Sequence, residues 1–335
     1  MKRITRLKSC VSFVSRASVG GYEERRGPLG EKFDFCDTSD LFGQKTFEIA
    51  EAEMGRIALN TALSKANLSH ERLELLVAGD LQNQCVASSV GLSSFGTPFV
   101  GVYGACSTCT ESLMILSAFM EASENITLGA AVTTSHNSAA ERQFRNPIEY
   151  GAQRAKSAQW TSTAGASFIL GRDTDKPRIT EYMAGRIIDG SIKDGTNMGA
   201  AMSFAAAETI ISYFEESGES PKSFDYIVTG DLGRVGSDIL RDILSKKLPA
   251  AAGLHTDCGL LLYDSDTQDM HSGASGCGTS AAVLSNHFLP LLEEGKIERI
   301  LFLSTGALMS KSSLLQGENI FGIAPLIRID GARGF

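Results

Sequence analysis

Apolar and polar residues follow two patterns along the chain, one with helical spacing and one of short continuous apolar runs. Within residues 47–66, apolar side chains recur at the spacing of one helix face. The run LELLVAGDL (Leu73–Leu81) follows after a short polar stretch and ends in Gly-Asp-Leu. The pattern therefore predicts an amphipathic helix that leads through a loop into a buried strand.

This helix and strand occur a second time, 151 residues later. FDYIVTGDL (Phe224–Leu232) matches Leu73–Leu81 without a gap, and Met198–Ser217 matches Phe47–Ala66 at the same offset. Two segments in the same order at one offset indicate an internal duplication.

A second repeat follows at an offset of 171. Cys106–Thr134 and Cys277–Thr305 each predict a small-residue turn, a helix (in the second half about Ser280–Leu292) and a strand (in the first half about Ile126–Thr133). The larger offset places about 20 additional residues in the second half. Strands that alternate with helices predict an α/β fold in which helices cover the sheets. The halves, 1–172 and 177–335, divide in the polar, turn-rich stretch GRDTDKP.

Composition narrows the class of protein. The chain has 335 residues, of which 43% are hydrophobic and 21% charged, and its net charge is −8. This composition supports a folded core and argues against binding to a nucleic-acid backbone. No run of about 18 apolar residues predicts a membrane span. Seven cysteines, an odd number, do not resemble a disulfide framework, so we expect a reducing, intracellular compartment.

The first 26 residues carry seven basic side chains and two acidic ones. Two interpretations remain open for this segment: a solvated chain end, or contact with an anionic membrane surface or an acidic ligand.

Cys106 is the candidate nucleophile or pocket residue. It lies at a predicted strand-to-helix turn, where unpaired N–H groups at a helix start stabilise a thiolate and can hold a carboxylate. A small buried thiol is an equally good interpretation from the residues alone. Cys106 and Cys109 also form a C-x-x-C, but no second pair completes a zinc site.

The duplicated α/β pattern with this cysteine resembles the thiolase-like superfamily. The matching motifs are GACS at Cys106, TAGASFIL (Thr163–Leu170) and GTSAA (Gly278–Ala282). The resemblance implies a five-layer αβαβα fold and a homodimer joined through the edge of the central sheet.

Within that superfamily, the sequence is most similar to the stage V sporulation protein AD family. The motifs that carry this similarity are GPLG, GACSTC, IKDGTNMGAAM, HTDCGLLLYD and HSGASGCGTSAAVL. The resemblance implies dipicolinic acid as ligand, alone or as its calcium chelate, and a part in its transport during sporulation and germination. It further implies a peripheral position on the spore inner membrane beside other stage V sporulation A-operon membrane proteins.

Two polar residues that the superfamily's acyl chemistry requires are absent. Gly230 stands where a histidine is expected, and Gly278 where an asparagine is expected. Neither glycine can move a proton or polarise a carbonyl. We therefore expect a binding protein without a cofactor. The alternative is an acyl-CoA- or acyl-carrier-protein-dependent acyltransferase, or a ketoacyl synthase, that uses Cys106 with His255 or His271 as base.

The residues predicted to bind the ligand are drawn from both halves. They are Cys106, His255, Asp257, Cys277 and Arg26. The uncharged stretch Leu81–Thr110 is expected to line the pocket, and the basic stretch Arg142–Lys156 offers further cations. Asp257 could supply an oxygen ligand to calcium in the chelate.

Overall fold

A computed structural model describes residues 2–144 and 154–332. The strands, in chain order, are β1 (Ile4–Arg6), β2 (Ser12–Gly20), β3 (Phe35–Cys36), β4 (Leu75–Gly79), β5 (Phe99–Gly101), β6 (Gly129–Ser135), β7 (Trp160–Thr161), β8 (Ala164–Gly171), β9 (Arg178–Met183), β10 (Ile188–Asp189), β11 (Tyr226–Thr229), β12 (His255–Asp257), β13 (Ala274–Ser275), β14 (Arg299–Leu303), β15 (Gly306–Leu308), β16 (Phe321–Ile323) and β17 (Leu326–Asp330). The helices are α1 (Tyr22–Arg26), α2 (Phe47–Lys65), α3 (Val86–Leu92), α4 (Thr108–Ala122), α5 (Asn137–Phe144), α6 (Met198–Ser217), α7 (Gly233–Lys247), α8 (Pro249–Ala252), α9 (Cys258–Leu261), α10 (Cys277–Val283), α11 (Leu289–Glu293) and α12 (Lys311–Leu315).

The main strands form two sets of five with the same order. The first set runs β5-β4-β6-β8-β2 and the second β12-β11-β14-β17-β9. In each set the first three strands run parallel to one another, and each of the last two pairs antiparallel with the strand before it. The two sets meet at one residue pair, Ser12 and Arg178. Val77 and Val228 therefore occupy equivalent places in β4 and β11, as the offset of 151 predicts.

Helices cover and separate the two sets. α2 packs on the outer face of β2, β6 and β8, and α6 closes the core of the second set. Between the sets lie α4 and α10, whose buried faces include Leu113, Leu116 and Ala281. The predicted duplicated αβαβα fold is thus confirmed.

A π-helical turn interrupts the helix predicted at about Ser280–Leu292. The structure has α10, then a π turn at Leu284–Phe288, then α11, which contains Pro290 near its start. Proline has no N–H to donate to the preceding turn, and the wider turn accommodates its ring.

The close packing of α6 against α7 depends on glycine. A Cβ atom at Gly199 would lie 2.2 Å from the Leu232 carbonyl oxygen, and one at Gly236 would lie 2.5 Å from that of Gly199. The two helices therefore approach so closely that only glycine, which has no Cβ atom, fits at these positions.

Most arginines of the basic N-terminal segment are paired with glutamates. The ion pairs are Arg3–Glu208 and Arg6–Glu181, both at 2.8 Å, Arg16–Glu293 at 2.7 Å and Arg26–Glu23 at 3.1 Å. The positive charge that the sequence concentrates here is thus largely compensated within the chain.

Candidate functional site

Cys106 lies in a tight turn between the two halves. The 3-10 turn Ala105–Ser107 leads directly into α4 at Thr108, and Ala105 has a left-handed φ of 54°. Hydrogen bonds of the Ser107 hydroxyl stabilise this turn. The hydroxyl oxygen lies 2.5 Å from the Gly104 carbonyl oxygen and 2.8 Å from Glu111 Oε1. Left-handed backbone in a residue other than glycine costs energy and persists only where the surroundings impose it. The fold thus holds the thiol at one position.

A cavity of about 330 Å³ opens beside Cys106. Its described lining residues are Leu81, Tyr103, Ala105, Cys106, Ala140, Phe144, Thr161, Met198, Ser275, Ala307, Leu308, Met309, Ser310 and Ser313. Both halves contribute to it, and the walls are mostly apolar with a few hydroxyl groups. Among the described lining residues none is charged. Cavities of this size and polarity accept small ligands.

Burial, together with a neighbouring carboxyl group, favours the protonated form of the Cys106 thiol. The thiol lies 3.9 Å from the Ser275 hydroxyl, which donates to Asp231 Oδ2 at 3.3 Å. Asp231 Oδ2 also accepts the Gly276 N–H at 2.9 Å, and its Oδ1 accepts the Thr305 hydroxyl at 2.9 Å. Burial, reinforced by the charge of Asp231, raises the pKa of Cys106 well above its ordinary value. Burial likewise raises the pKa of Asp231, to about 7. Burial and a neighbouring negative charge thus oppose the thiolate that a helix start would stabilise, and the role of Cys106 stays a prediction.

The two glycines at the expected catalytic positions are enclosed by other atoms. A Cβ atom at Gly278 would lie 2.0 Å from the Ala164 carbonyl oxygen and 2.6 Å from the Ser135 hydroxyl. At Gly230 it would lie 3.0 Å from the Ser304 Cα. At Gly278 the backbone leaves no room for an asparagine side chain, and at Gly230 any side chain would be crowded.

Comparison with known proteins identifies the family. The sequence profile of the stage V sporulation protein AD family matches residues 1–330. The stage V sporulation protein AD of Bacillus subtilis (strain 168) is 38% identical over 323 residues, which cover 96% of this chain and 95% of that protein. The chain belongs to the stage V sporulation protein AD family.

Solved structures show the fold at lower identity. Cerulenin-bound OleA of Xanthomonas campestris has a TM-score of 0.60 and 16% identity, and the match covers 96% of this chain and 99% of OleA. The 3-oxoacyl-[acyl-carrier-protein] synthase III of Aquifex aeolicus VF5 has a TM-score of 0.56 and 15% identity over 95% of this chain and 99% of the synthase. Both confirm the thiolase-like fold.

The structure places His255 and Asp257 away from the cavity lining. His255 bonds through Nε2 to the Thr229 hydroxyl at 2.8 Å, and burial lowers its pKa to about 3. Asp257 accepts the Thr229 hydroxyl at 2.6 Å and the N–H groups of Leu232 and Gly233 at 2.9 and 3.0 Å. These bonds give Asp257 a structural role at the start of α7, so its oxygens are already occupied.

Cys277 and Arg26 also lie outside the lining. Cys277 is buried behind the cavity wall, where it packs with Leu81 and Ala140 and points its thiol at the Thr134 carbonyl, 3.0 Å away. Arg26 lies at the surface, paired with Glu23. Of the predicted ligand-binding residues, the structure thus brings only Cys106 to the cavity; binding by the others stays a prediction.

The basic stretch after α5 is only partly described. Arg142 pairs with Glu48 at 3.2 Å, and Arg154 pairs with Asp269 at 3.2 Å. Arg145 lies outside the described residues. Neither described arginine lines the cavity.

The sequence analysis anticipated part of the cavity lining. Leu81, Tyr103 and Ala105 lie in the uncharged stretch that was expected to line the pocket. Met198 and the segment Ala307–Ser313 were not assigned to the site, although Met198 lies in the motif IKDGTNMGAAM that carries the family resemblance. Asp231 was recognisable only as part of the repeated Gly-Asp-Leu motif.

The described residues contain neither a cluster suited to a metal ion nor a helix suited to crossing a membrane. No group of three or more His, Cys, Asp or Glu side chains in residues 2–144 and 154–332 has the arrangement of a metal site. No helix in the same ranges is both long and apolar enough to cross a bilayer.

Proposed function

We propose that this sporulation protein is a binding protein whose ligand is dipicolinic acid or its calcium chelate. In this proposal it takes part in moving that ligand during sporulation and spore germination, and it performs no acyl transfer. Membership of the stage V sporulation protein AD family supports a role in sporulation.

One observation carries the proposal. The cavity remains open beside Cys106, while the positions that would hold catalytic polar side chains are glycines packed against other residues. A cavity without the groups for proton transfer and carbonyl polarisation suits binding better than catalysis.

The character of the cavity suits a small flat ligand. An aromatic ring can lie against the apolar side chains. The hydroxyls of Tyr103, Thr161 and Ser275 now donate to Asn83, Glu141 and Asp231, so each would have to rotate to donate to a ligand carboxylate. Calcium, bound by the ligand's own oxygens and ring nitrogen, would supply the positive charge that the described lining residues do not.

The proposal extends to the position of the protein in the cell. It includes peripheral association with the spore inner membrane and contact with other stage V sporulation A-operon membrane proteins. The family resemblance is the support for this part.

Calorimetric titration with dipicolinate, with and without calcium, tests the binding. Ser313 lines the cavity, whereas Ser312, its neighbour on α12, is exposed and does not, so Ser313→Trp and Ser312→Trp form a matched pair. We expect Ser313→Trp to weaken binding about tenfold or more and Ser312→Trp to leave it unchanged. Calcium should raise the affinity for isophthalate, which lacks the ring nitrogen, less than it raises the affinity for dipicolinate.

Two results would refute this placement of the ligand. The first is no binding to the wild type under either condition. The second is equal affinity for the two tryptophan variants.

A second candidate function follows from the exposure of Cys106 to the cavity, which is the arrangement that an acyltransferase needs. Neither His255 nor His271, the bases that this alternative requires, lines that cavity. Incubation with acetyl-CoA and mass spectrometry of the Cys106 peptide separates the two functions. Rapid stoichiometric acetylation followed by product release would establish the acyltransferase instead.

A further inference from the structure

The additional residues of the second half build a cavity of their own. Between β12 and β13, where the sequence repeat has its insertion, α9 and the following loop enclose about 220 Å³. The lining residues are Arg234, Gly259, Leu260, Tyr263, Ser265, Met270, His271 and Gly273. None of them lines the cavity beside Cys106. The function proposed above makes no use of this second cavity.

The backbone around the second cavity is closely packed. Gly233 and Gly273 have left-handed φ values of 62° and 105°. A Cβ atom at Gly233 would lie 2.4 Å from the Ser272 carbonyl oxygen, and one at Gly259 would lie 2.6 Å from that of Ala274. These approaches leave no room for a side chain at either glycine, so the backbone itself forms the cavity wall at Gly259.

Arg234 brings an available positive charge to this cavity. Its backbone N–H is bound to the Ser272 carbonyl at 2.7 Å, which fixes the residue in the first turn of α7. Its guanidinium is exposed and makes no ion pair or hydrogen bond within residues 2–144 and 154–332. A guanidinium offers five N–H donors in a fork that matches a carboxylate.

The other charged groups nearby are already engaged. His271 is bonded through Nδ1 to the Ala155 carbonyl at 2.8 Å and through Nε2 to Asp269 at 2.9 Å. Asp269 also pairs with Arg154, and Asp264 accepts the Asp266 N–H at 2.8 Å. None of these carboxylates is among the described lining residues, so Arg234 is the charged group that a ligand would meet there.

We propose that this cavity is a second ligand site, for a small organic carboxylate anchored by Arg234. The apolar side chains of Leu260 and Met270 would contact the organic part, and the Ser265 hydroxyl would add a hydrogen bond. A single cation beside apolar walls suits an organic monoanion better than inorganic phosphate, which needs donors on several sides.

Ligand-observed NMR titration of the full chain with benzoate tests the proposal, with benzamide as the neutral analogue. Arg234→Gln removes the guanidinium that anchors the carboxylate. Arg241→Gln is the matched control on the same helix; Arg241 Nη1 lies 3.8 Å from Asp238 Oδ1. We expect benzoate to bind at least about tenfold more tightly than benzamide. Arg234→Gln should abolish that difference, and Arg241→Gln should preserve it.

Ser313→Trp, which fills the cavity beside Cys106, should leave benzoate binding unchanged. This variant makes failure of the second site distinguishable from failure of the first. Absence of benzoate binding, equal binding of benzamide, or full affinity in Arg234→Gln would each overturn the proposal. Loss of benzoate binding in Ser313→Trp would also overturn it, because the probe would then occupy the first cavity.

Discussion

Burial and Asp231 together set the chemical state of Cys106. Burial is the largest cause of the raised pKa of the thiol and the charge of Asp231 adds to it, so the thiol is protonated at neutral pH, whereas Asp231, with a pKa of about 7, titrates there. A protonated thiol at the cavity is consistent with the proposed binding role, because the thiolate is the nucleophilic form.

Replacing Asp231 by asparagine should make Cys106 more reactive. Loss of the negative charge lowers the pKa of the thiol, so its alkylation by iodoacetamide should shift to lower pH, with about a tenfold rise in rate for each pKa unit. The measurement is the pH profile of labelling at the Cys106 peptide, with Cys106→Ser as the blank. An unchanged profile would show that Asp231 does not set the state of the thiol.

Gly278 is required by packing. A methyl group there would overlap the Ala164 carbonyl oxygen, so Gly278→Ala should lower the free energy of unfolding by about 3 kcal/mol. Gly253 is the control, because a Cβ at that position meets nothing within 4 Å, and Gly253→Ala should be neutral or slightly stabilising. Urea unfolding measures both. Equal stability of the two variants would contradict the account of a closed catalytic position.

At the scale of elements, the repeat made the architecture predictable, while the ends of elements depended on distant contacts. The strand expected at about Ile126–Thr133 is found at Gly129–Ser135. The Glu74 carboxylate accepts the N–H groups of Thr127 and Leu128, at 2.5 and 2.9 Å, before the strand begins. A pattern of apolar residues cannot show that a glutamate 53 residues away replaces the sheet hydrogen bonds.

The candidate site was predictable only in part, because its lining also depends on residues that only the fold brings together. Cys106 was found because a thiol before a helix has recognisable chemistry. The lining segment Ala307–Ser313 was not assigned to the site because its mixture of apolar residues, serines and a lysine has no recognisable chemistry. Arg234 was missed because surface arginines are common and only the fold places it beside the second cavity.

The edge strand β5 is the expected dimer contact. It ends the first set of strands, and the side chain of Phe99 on this strand is 40% exposed. An open edge with an exposed apolar side chain favours pairing with the same strand of a second copy.

Light scattering after size exclusion tests that contact. We expect a dimer for the wild type and a monomer for Phe99→Glu, because a buried charge at the shared edge opposes association. Leu315→Glu is the control, since Leu315 is 82% exposed and lies on α12. A monomeric wild type, or a dimer that survives Phe99→Glu, would exclude this interface.

For the whole molecule, buried carboxyl groups set the pH dependence of stability. Burial raises the pKa of Glu24 and of Asp231 to about 7 and that of Asp257 to about 6. The folded protein therefore keeps protons that the unfolded chain releases near pH 4, and stability falls as pH rises through this window. His255 acts in the opposite direction, since burial lowers its pKa to about 3, but three carboxyl groups outweigh it.

The protein should consequently be more stable at pH 5.5 than at pH 7.5, with each carboxyl group contributing roughly 1 kcal/mol per pH unit within its window. Glu24 accepts hydrogen bonds from Tyr263 and from the Thr163 N–H, and Asp40 lies near it. The Glu24→Gln variant lacks this titrating carboxyl. Its free energy of unfolding should therefore change less between pH 5.5 and 6.5 than that of the wild type. A pH dependence identical to that of the wild type would contradict the assignment.

The central claim is that dipicolinate occupies the cavity beside Cys106 without reacting with it. A crystal structure of the complex with dipicolinate and calcium tests this claim most directly. The account predicts electron density for the ring between Tyr103 and Met309, next to an unmodified Cys106. Density confined to the second cavity at Arg234, or an empty first cavity at saturating ligand, would contradict it.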